Sequence, residues 1–427
     1  MYLYFILIIC LLFVTLIEQY FVKQKLQYKC VLVNRKKDIY YNLIFLFLFL
    51  IILMLFCFRN KNVGTDTRAY FEIYQDFQNR HSKFSNEPVF YVINMICSIL
   101  NLDFVVLLTF VGLLQMVGMF VLIKKYSSLP LFSILLYVTL GIMGMTYNCM
   151  RQMMAVGFFA FAINFLIKNN TWGYFCAIIL ASLCHASALI LVPVYFIKKL
   201  KLGKYIYIIT APVIMGSIVF LPIIAKTFSK VISNDYYSTY IKANLFRSSI
   251  NFYSIAYLFG LIAVLVWFIF VRNRIKKNSK DIQVYNIFLW LFYINVCIRI
   301  IATFSSYFQL VGRFTMYFFW SIIILIPYAL KYENRLERKY GLSQIIQFAC
   351  VIYFLFSAVL RNTNKIYSYE LCYDIGSFNW FMVQSEILIL ITIILNFAVL
   401  IYSKCNNFYS EFNYSKKYFI RRRNGLN

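Results

Sequence analysis

The chain has 427 residues, of which 62% are apolar and only 13% are charged, and its mean hydropathy is +0.73. Soluble domains carry about a quarter charged residues, so this composition excludes a soluble enzyme, a disordered chain and a fibrous protein. The apolar residues run in continuous blocks rather than in alternation, which also excludes a transmembrane β-barrel. The sequence therefore predicts an all-α, polytopic integral membrane protein.

The net charge of +27 comes from Lys and Arg clusters between the apolar blocks. The positive-inside rule expects such clusters in cytoplasmic loops, so we do not expect nucleic acid as a partner. The cysteines lie mostly inside apolar blocks without ligand spacing, and the chain has only two histidines. These features predict neither a metal site nor a cofactor.

Eleven apolar blocks are long enough to span a membrane, at about 20 residues each. In chain order they lie near 2–22, 40–58, 104–123, 130–147, 150–168, 205–225, 252–271, 284–303, 314–330, 343–360 and 383–402. The stretch 172–197 is too long for one span and contains His185 and Pro193. We expect it to form two short helices that meet at a break and that enter and leave on the same side. The sequence thus predicts 11 to 13 membrane helices in a single domain, 1–427.

The basic clusters set the orientation of these helices. Five segments are strongly basic, namely 23–37, 198–204, 272–280, 331–340 and 404–423. Placing them in the cytoplasm puts the N-terminus outside and makes 403–427 a basic cytoplasmic tail. The predicted outer loops are then 59–103, 226–251 and 361–382. This topology requires the 14 residues 88–101 to lie flat at the outer interface, because a crossing there would move Arg151 to the cytoplasmic side.

A polar segment follows the second apolar block. GTDTRAYFEIY occupies 64–74, and Gly64 gives the backbone freedom just after the predicted helix end. Asp66 is expected one short turn outside the membrane, where its carboxylate can accept a proton from a hydroxyl group. Alternatively, Asp66 is the N-cap of a surface helix that starts near Thr67, and both roles can coexist.

A second polar segment, NEPVFY, occupies 86–91. Glu87 followed by Pro88 is typical of a helix start, since proline fits the first helical turn. The carboxylate of Glu87 can also hold a basic residue or a hydroxyl group. Both interpretations stay open at the level of the sequence.

Three arginines fall on the predicted outer side, at helix ends or just within them. They are Arg151, which is followed by Gln152, then Arg299 and Arg313. A guanidinium presents five donors in a planar fork, which suits a phosphate group. The alternative is that each arginine extends to lipid head groups. Three arginines on one side favour a shared anion site.

His185 lies in the apolar run CHASALILVP, at the predicted break and two residues before Ser187. A single histidine in such a run is often a structural residue with satisfied hydrogen bonds. At a break that faces outward, it can instead bind an anion or act as an acid or a base near neutral pH.

The motifs in order are G-x-D-x-x-x-Y, E-P, R-Q-x-x-A, H-x-S-A with an apolar run and Pro, and R-x-x-x-Y. Together they resemble the EpsG-like family of bacterial polysaccharide polymerases. The matching residues are Gly64, Asp66, Tyr70, Glu87, Pro88, Arg151, Gln152, Ala155, His185, Ser187, Ala188, Pro193, Arg313 and Tyr317. The resemblance covers about 60–330, while the first helix and the residues after 340 add hydropathy only.

The resemblance implies a Wzy-type glycosyltransferase of the bacterial cytoplasmic membrane, acting in capsule, exopolysaccharide or O-antigen assembly. Such enzymes join polyprenyl-diphosphate-linked oligosaccharide repeats on the outer face, alongside a flippase and a chain-length regulator. The arrangement also resembles the GT-C class, which places an acidic residue in the first long outer loop before a broken helix pair. The alternatives are transfer of one sugar from a polyprenyl phosphate, ligation of finished glycan, and non-enzymatic flipping.

Each polar residue then has an expected role. The candidate bases are Asp66 and His185. The diphosphate ligands are Arg151, Gln152, Arg299 and Arg313. The supporting residues are Tyr70, Glu87, Ser187 and Tyr317. Arginines can stabilise the charge of a leaving diphosphate without a metal ion.

Overall fold

The computed structural model describes residues 2–28, 35–79, 87–200, 206, 209–220, 250, 252–276, 279–305, 308–333, 336–362, 365–366, 369–370 and 372. The chain divides into two units, Met1–Glu370 and Leu371–Asn427, and the description below concerns the first. The predicted span 383–402, the predicted tail 403–427 and nearly all of the predicted loop 226–251 lie outside the described residues.

Helices form all the regular structure of the described ranges, as the sequence predicts. Those of the first half are α1 (Tyr2–Tyr28), α2 (Arg35–Cys57), α3 (Thr67–Gln78), α4 (Pro88–Ile99), α5 (Phe104–Tyr126), α6 (Pro130–Thr139), α7 (Ile142–Asn148), α8 (Met150–Ile167) and α9 (Thr171–Cys184). A 3₁₀ helix, Ala186–Lys199, follows α9. The later helices are α10 (Ile209–Phe220), α11 (Phe252–Arg272), α12 (Lys280–Phe304), α13 (Phe308–Phe314), α14 (Met316–Phe319), α15 (Ile322–Lys331) and α16 (Leu336–Phe354). A π-helical segment, Leu355–Leu360, continues α16.

Within the described ranges, seven helices are long and apolar enough to cross a membrane, and two bent pairs raise the number to nine. The seven are α1, α2, α5, α8, α11, α12 and α16. Each coincides with a predicted apolar block. The protein is therefore an all-α, polytopic membrane protein.

Two predicted spans are bent. In 130–147 the axis turns by 54° between α6 and α7, where Gly141 has φ +81°, a left-handed conformation that glycine adopts readily. The second bend, of 41°, separates Val311–Phe319 from Ile322–Lys331. There the Ser321 hydroxyl donates to the Phe318 carbonyl over 2.7 Å, which competes with the regular helical hydrogen bonds.

The stretch 172–197 forms a hairpin, which confirms the predicted break. His185 has an extended backbone (φ −160°, ψ 118°) between α9 and the 3₁₀ helix. The two arms lie side by side: the Tyr174 hydroxyl donates to the Leu191 carbonyl over 2.6 Å, and the hydroxyls of Thr171 and Tyr195 are 2.7 Å apart. His185 therefore occupies the tip of the hairpin.

Glycines allow α5 and α8 to pack backbone against backbone. A Cβ atom on Gly118 would lie 2.1 Å from the Gly157 carbonyl oxygen, and one on Gly157 would lie 2.0 Å from the Leu114 oxygen. Small residues permit such close approach between membrane helices. Nearby, the Gln115 amide donates to the Met150 carbonyl over 3.0 Å, so the first turn of α8 is fixed against α5.

Lysines and arginines gather at one end of the helices, which we call the basic end. Lys125 at the end of α5 donates to Asn164 near the end of α8 over 2.7 Å. The Ser128 hydroxyl donates to the Pro327 carbonyl over 2.5 Å, which brings the end of α15 to the same place. Two ion pairs lie there as well: Arg274 with Glu333, and Lys331 with Asp281.

The segment 59–103 begins and ends at the opposite end, which we call the site end. Arg59 Nε lies 3.4 Å from the Thr67 hydroxyl oxygen at the start of α3. The ring centre of Phe71 lies 5.1 Å from that of Phe104 at the start of α5. Between them, α4 has only 12 residues. The α4 helix therefore does not cross from the site end to the basic end. The predicted topology requires that it does not cross.

Candidate active site

Gly64 and Asn148 fix the start of α3. Gly64 has φ +99°, and a Cβ atom there would lie 2.7 Å from the Thr67 hydroxyl oxygen and 2.8 Å from the Asn148 amide oxygen. That amide oxygen accepts from the backbone N–H of Thr65 over 2.7 Å. The glycine of the G-x-D motif is thus needed for both its conformation and its space.

Asp66 occupies the N-cap position of α3, but its side chain forms no capping hydrogen bond. Its carboxylate accepts from the Thr65 hydroxyl over 2.8 Å and is partly exposed. In the described part of the chain it forms no ion pair within 4 Å. The carboxylate is therefore not used for capping and keeps acceptor capacity.

Glu87 bridges Arg151 and His185. One carboxylate oxygen lies 2.7 Å from Arg151 Nη1, and the other forms a very short hydrogen bond with His185 Nδ1. Only 8% of the Glu87 side chain is exposed, against 26% for Arg151 and 31% for His185. A buried carboxylate is thus paired with two more accessible groups.

The hydrogen bond to Glu87 fixes the histidine. A carboxylate accepts only, so His185 Nδ1 donates, and Nε2 is then the acceptor of the neutral ring. In the described part of the chain, Nε2 forms no hydrogen bond. This arrangement follows the logic of a carboxylate that orients a histidine base. Glu87 also starts α4 ahead of Pro88, so both interpretations of its motif hold.

Tyr70 lies next to Arg151. The Arg151 guanidinium carbon is 5.8 Å from the centre of the Tyr70 ring, and the two side chains are hydrogen-bonded. Burial raises the pKa of Tyr70 to about 12, so the phenol stays protonated at physiological pH. Tyr70 therefore positions Arg151 and can donate a proton in a hydrogen bond, but it is not a base.

Gln152 and Ser187 hold the segment that carries Arg313 and Tyr317. The Gln152 amide donates to the Arg313 backbone carbonyl over 2.8 Å, and the hydroxyls of Ser187 and Tyr317 are 2.8 Å apart. Gln152 was expected to bind an anion, whereas the structure shows its amide nitrogen bonded to the protein backbone. Both contacts join the hairpin and α8 to the bent pair.

Arg151, Arg313 and Asp66 lie around Cys149, since all three interact with it electrostatically. Arg313 is exposed. Arg299 is placed differently: its guanidinium carbon is 4.9 Å from the centre of the Tyr257 ring on α11. The structure thus brings two of the three predicted arginines to the Glu87 region and sets the third against another helix.

Sequence reasoning missed Arg59 and Asn148. Arg59 is fully buried and lies over the rings of Phe56 and Tyr147, at 4.0 and 4.6 Å from their centres. Its only sequence signal is a lone arginine directly after an apolar block. Asn148 gave no signal, because its role depends on the fold bringing α7 to Thr65.

The described residues contain no group of three or more His, Cys, Asp or Glu side chains arranged to hold a metal ion. What the site offers is a carboxylate–histidine pair, a separate carboxylate, and two guanidinium groups. Such a set can accept a proton from a hydroxyl and stabilise developing negative charge nearby. These are the requirements for displacing an anionic leaving group.

Comparisons with known proteins give one match. Residues 42–371 match the EpsG family, a range that includes the whole site. No curated protein and no solved structure matches the chain. Because the match extends over most of the sequence and contains each motif in order, the chain belongs to the EpsG family.

Proposed function

We propose that the protein polymerises polyprenyl-diphosphate-linked oligosaccharide repeats on the outer face of a bacterial cytoplasmic membrane. Membership of the EpsG family supports a polysaccharide polymerase-like role. The observation that carries the finer proposal is Glu87, whose buried carboxylate joins a guanidinium to a histidine at the site end.

The reaction transfers one glycan to another. A sugar hydroxyl oxygen of the acceptor attacks the anomeric carbon of the donor, and the bond from that carbon to the diphosphate oxygen breaks. The diphosphate leaves with the electron pair, and the hydroxyl proton passes to a base. Arg151 and the exposed Arg313 supply positive charge for the leaving diphosphate.

Two groups are available to take the proton. His185 has a fixed ring with Nε2 as the acceptor, and Asp66 has a carboxylate that is not used for capping. An imidazole suits proton transfer near neutral pH. The geometry favours His185 as the base and leaves Asp66 to orient the hydroxyl.

The lipid tail and the orientation also fit. A polyprenyl chain needs an apolar environment, and the site lies where membrane-length helices begin or end. The basic end carries the lysines and arginines that the positive-inside rule assigns to the cytoplasm. The site end is then the outer face, which is where lipid-linked repeats are joined in this proposal.

The test uses the purified full-length protein in nanodiscs with a defined polyprenyl-diphosphate-linked repeat, read as a glycan ladder on a gel. Wild type should form a ladder. Arg151→Lys should lose about 10- to 100-fold in rate, because a point charge does not replace a planar fork on a diphosphate. Arg68→Lys is the matched control, since Arg68 is an exposed arginine on α3 paired with Glu72.

The outcomes separate the alternatives. A single added unit without a ladder would identify a single-sugar transferase. Binding without any product would point to a flippase. A normal ladder from Arg151→Lys would make Arg151 a head-group anchor and overturn the proposed site.

A further inference from the structure

A second cluster of arginines and aromatic rings lies on helices that the site above does not use. We call it the aromatic cluster; it consists of Tyr253 and Tyr257 on α11, Arg299 on α12, Tyr353 on α16 and Arg361. Arg299 lies 4.9 Å from the Tyr257 ring centre, and Arg361 lies 4.7 Å from that of Tyr253. The rings of Tyr257 and Tyr353 stack at 6.4 Å with 23° between their planes.

The aromatic cluster lies toward the site end. Tyr253 is near the start of α11, whose other end carries Arg272. Arg299 is near the end of α12, which starts with Lys280 at the basic end. Arg361 directly follows the π-helical segment that continues α16. All three positions are therefore away from the basic end.

The cluster is accessible in part and has a buried polar group beside it. Tyr253 is 52% exposed, and Arg361 is exposed. Asn295 precedes Arg299 by four residues and so shares its helix face. It is 1% exposed, and neither polar atom of its amide has a hydrogen-bond partner in the described part of the chain. A buried amide without a partner calls for an explanation, such as a ligand that supplies one.

The proposed reaction needs two lipid-linked substrates at once, each with a diphosphate. Two diphosphates held by the same arginines would repel each other strongly in a partly desolvated site. Separate positive groups that each pair with one diphosphate offset most of that repulsion. Polymerisation thus calls for a second cationic site at the site end.

We propose that the aromatic cluster binds the acceptor, the lipid-linked repeat whose diphosphate stays intact during the reaction. Arg299 and Arg361 bind its diphosphate, and the tyrosine faces contact its sugar rings. Asn295 completes its hydrogen bonds with the bound molecule. This inference rests on the proposed function, because it assigns a place to the second substrate of the same reaction.

Loss of the Arg151 site and loss of the aromatic cluster are expected to change different kinetic constants. The Arg151 site meets charge that develops as the donor bond breaks, so its loss lowers kcat. The aromatic cluster binds an unchanging diphosphate equally in the ground state and the transition state. Loss of such uniform binding raises KM and leaves kcat unchanged.

The experiment uses an acceptor-only probe, a repeat joined to its lipid through a carbon–phosphorus bond at the anomeric carbon. That bond does not break, so the probe accepts glycan but cannot donate it. Initial rates are measured with the full-length protein in phosphatidylcholine nanodiscs, at fixed normal donor and varied probe, by the mass of probe-linked product. Arg299→Gln should raise the probe KM about tenfold, with kcat within about twofold.

Two further variants keep the test decisive if Arg299→Gln folds poorly. Arg361→Gln alters an exposed side chain and should raise the probe KM several-fold. Asn295→Leu removes the buried amide, so it should keep or raise the unfolding temperature while also raising the probe KM. A merely structural Asn295 would leave KM unchanged. Arg68→Gln on α3 is the control and should match wild type.

Three results would overturn the inference while wild type still forms a ladder. They are an unchanged probe KM in both Arg299→Gln and Arg361→Gln, a fall in kcat without a change in KM, and a KM defect seen only in anionic-lipid nanodiscs. The second would place Arg299 at the leaving diphosphate, and the third would make these arginines head-group contacts. Absence of any wild-type ladder would instead refute the proposed function itself.

Discussion

Two buried carboxylate–arginine pairs lie at opposite ends of the protein and look alike in isolation. Glu87 is 2.7 Å from Arg151, and Glu333 is 3.0 Å from Arg274. The glutamate side chains are 8% and 7% exposed, and the arginine side chains are 26% and 24% exposed. Burial and distance therefore do not distinguish a site from a structural pair.

The difference lies in what surrounds each pair. The second oxygen of Glu87 is bonded to Nδ1 of His185, which leaves Nε2 at the tip of the hairpin. Asp66 and the exposed Arg313 share the neighbourhood of Arg151 around Cys149. At the basic end, the nearby Asp281 is closed off by Lys331, Tyr328 and Tyr332. A candidate site thus combines a buried anchor with a histidine, a second carboxylate and a second guanidinium close by.

The largest effect is expected in a test of which end of the protein faces outward, because each labelled position is either accessible from outside the cell or not. In a cysteine-free background, Arg68→Cys at the site end should react with an impermeant maleimide in intact spheroplasts. Lys168→Cys at the basic end should react only after the cells are opened. Arg68 and Lys168 are both exposed on the protein surface, so a difference in labelling reports the side of the membrane and not burial.

The reversed labelling pattern would place the Glu87 region in the cytoplasm. The proposed donor would then have to be used on the inner face, and the outer-face polymerase would be ruled out. Labelling of both positions in intact cells would mean that the spheroplasts leak, which a cytoplasmic marker enzyme checks.

The next largest effect is expected from Glu87→Gln, compared with Glu333→Gln. Each change leaves a partly buried arginine without its carboxylate, and breaking a buried pair costs about 3 kcal/mol. Both variants should therefore unfold at a lower temperature. Only Glu87→Gln should also lose about 100-fold or more in rate per folded protein, because it releases the histidine.

Rates are normalised to folded protein by gel filtration before assay. Equal loss of activity in the two variants would mean that the Arg151 pair acts on stability alone. Full activity in Glu87→Gln would remove the carboxylate–histidine pair from the mechanism.

The difference in rate between two further variants separates the two candidate bases. His185→Gln keeps some hydrogen bonding but does not titrate, and we expect it to be nearly inactive if His185 takes the proton. Asp66→Asn keeps the size and the ability to cap a helix, and we expect a loss of about tenfold if the carboxylate orients the hydroxyl. Asp76→Asn, an exposed position on α3, is the control. A milder defect in His185→Gln than in Asp66→Asn would exchange the two roles.

Much of the fold was predictable because hydropathy reports the membrane directly. Helices that span a bilayer need long apolar runs, so the positions of α5, α8 and α12 follow from composition. The break at His185 was predictable from the excess length of 172–197. The bend at Gly141 was not, because one glycine in an apolar run does not say whether the backbone turns there.

The site was predictable as a list of residues but not as a set of contacts. Charged residues in apolar surroundings mark Arg151, His185 and Glu87. Arg151 and His185 both contact Glu87 because α4 lies beside the hairpin tip. No local sequence pattern predicts that packing. The same limit explains Gln152, whose amide was expected at an anion but bonds to the Arg313 backbone.

The smallest effect on rate is expected from Asp281→Asn at the basic end. Asp281 accepts from the Lys331 ammonium over 2.6 Å and from the hydroxyls of Tyr328 and Tyr332. Asparagine can still accept from a tyrosine but loses the charge that pairs with Lys331. The pair is partly exposed, so water screens it, and we expect a loss of about 1 kcal/mol in the free energy of unfolding. Both kcat and KM should stay within about twofold of wild type, because no reacting group touches this network.

The measurement is thermal unfolding in nanodiscs beside the ladder assay, with Lys331→Met as the partner variant. A large fall in kcat at unchanged stability would show that the basic end is coupled to the reaction, and the contrast between the two ends would no longer separate structure from catalysis.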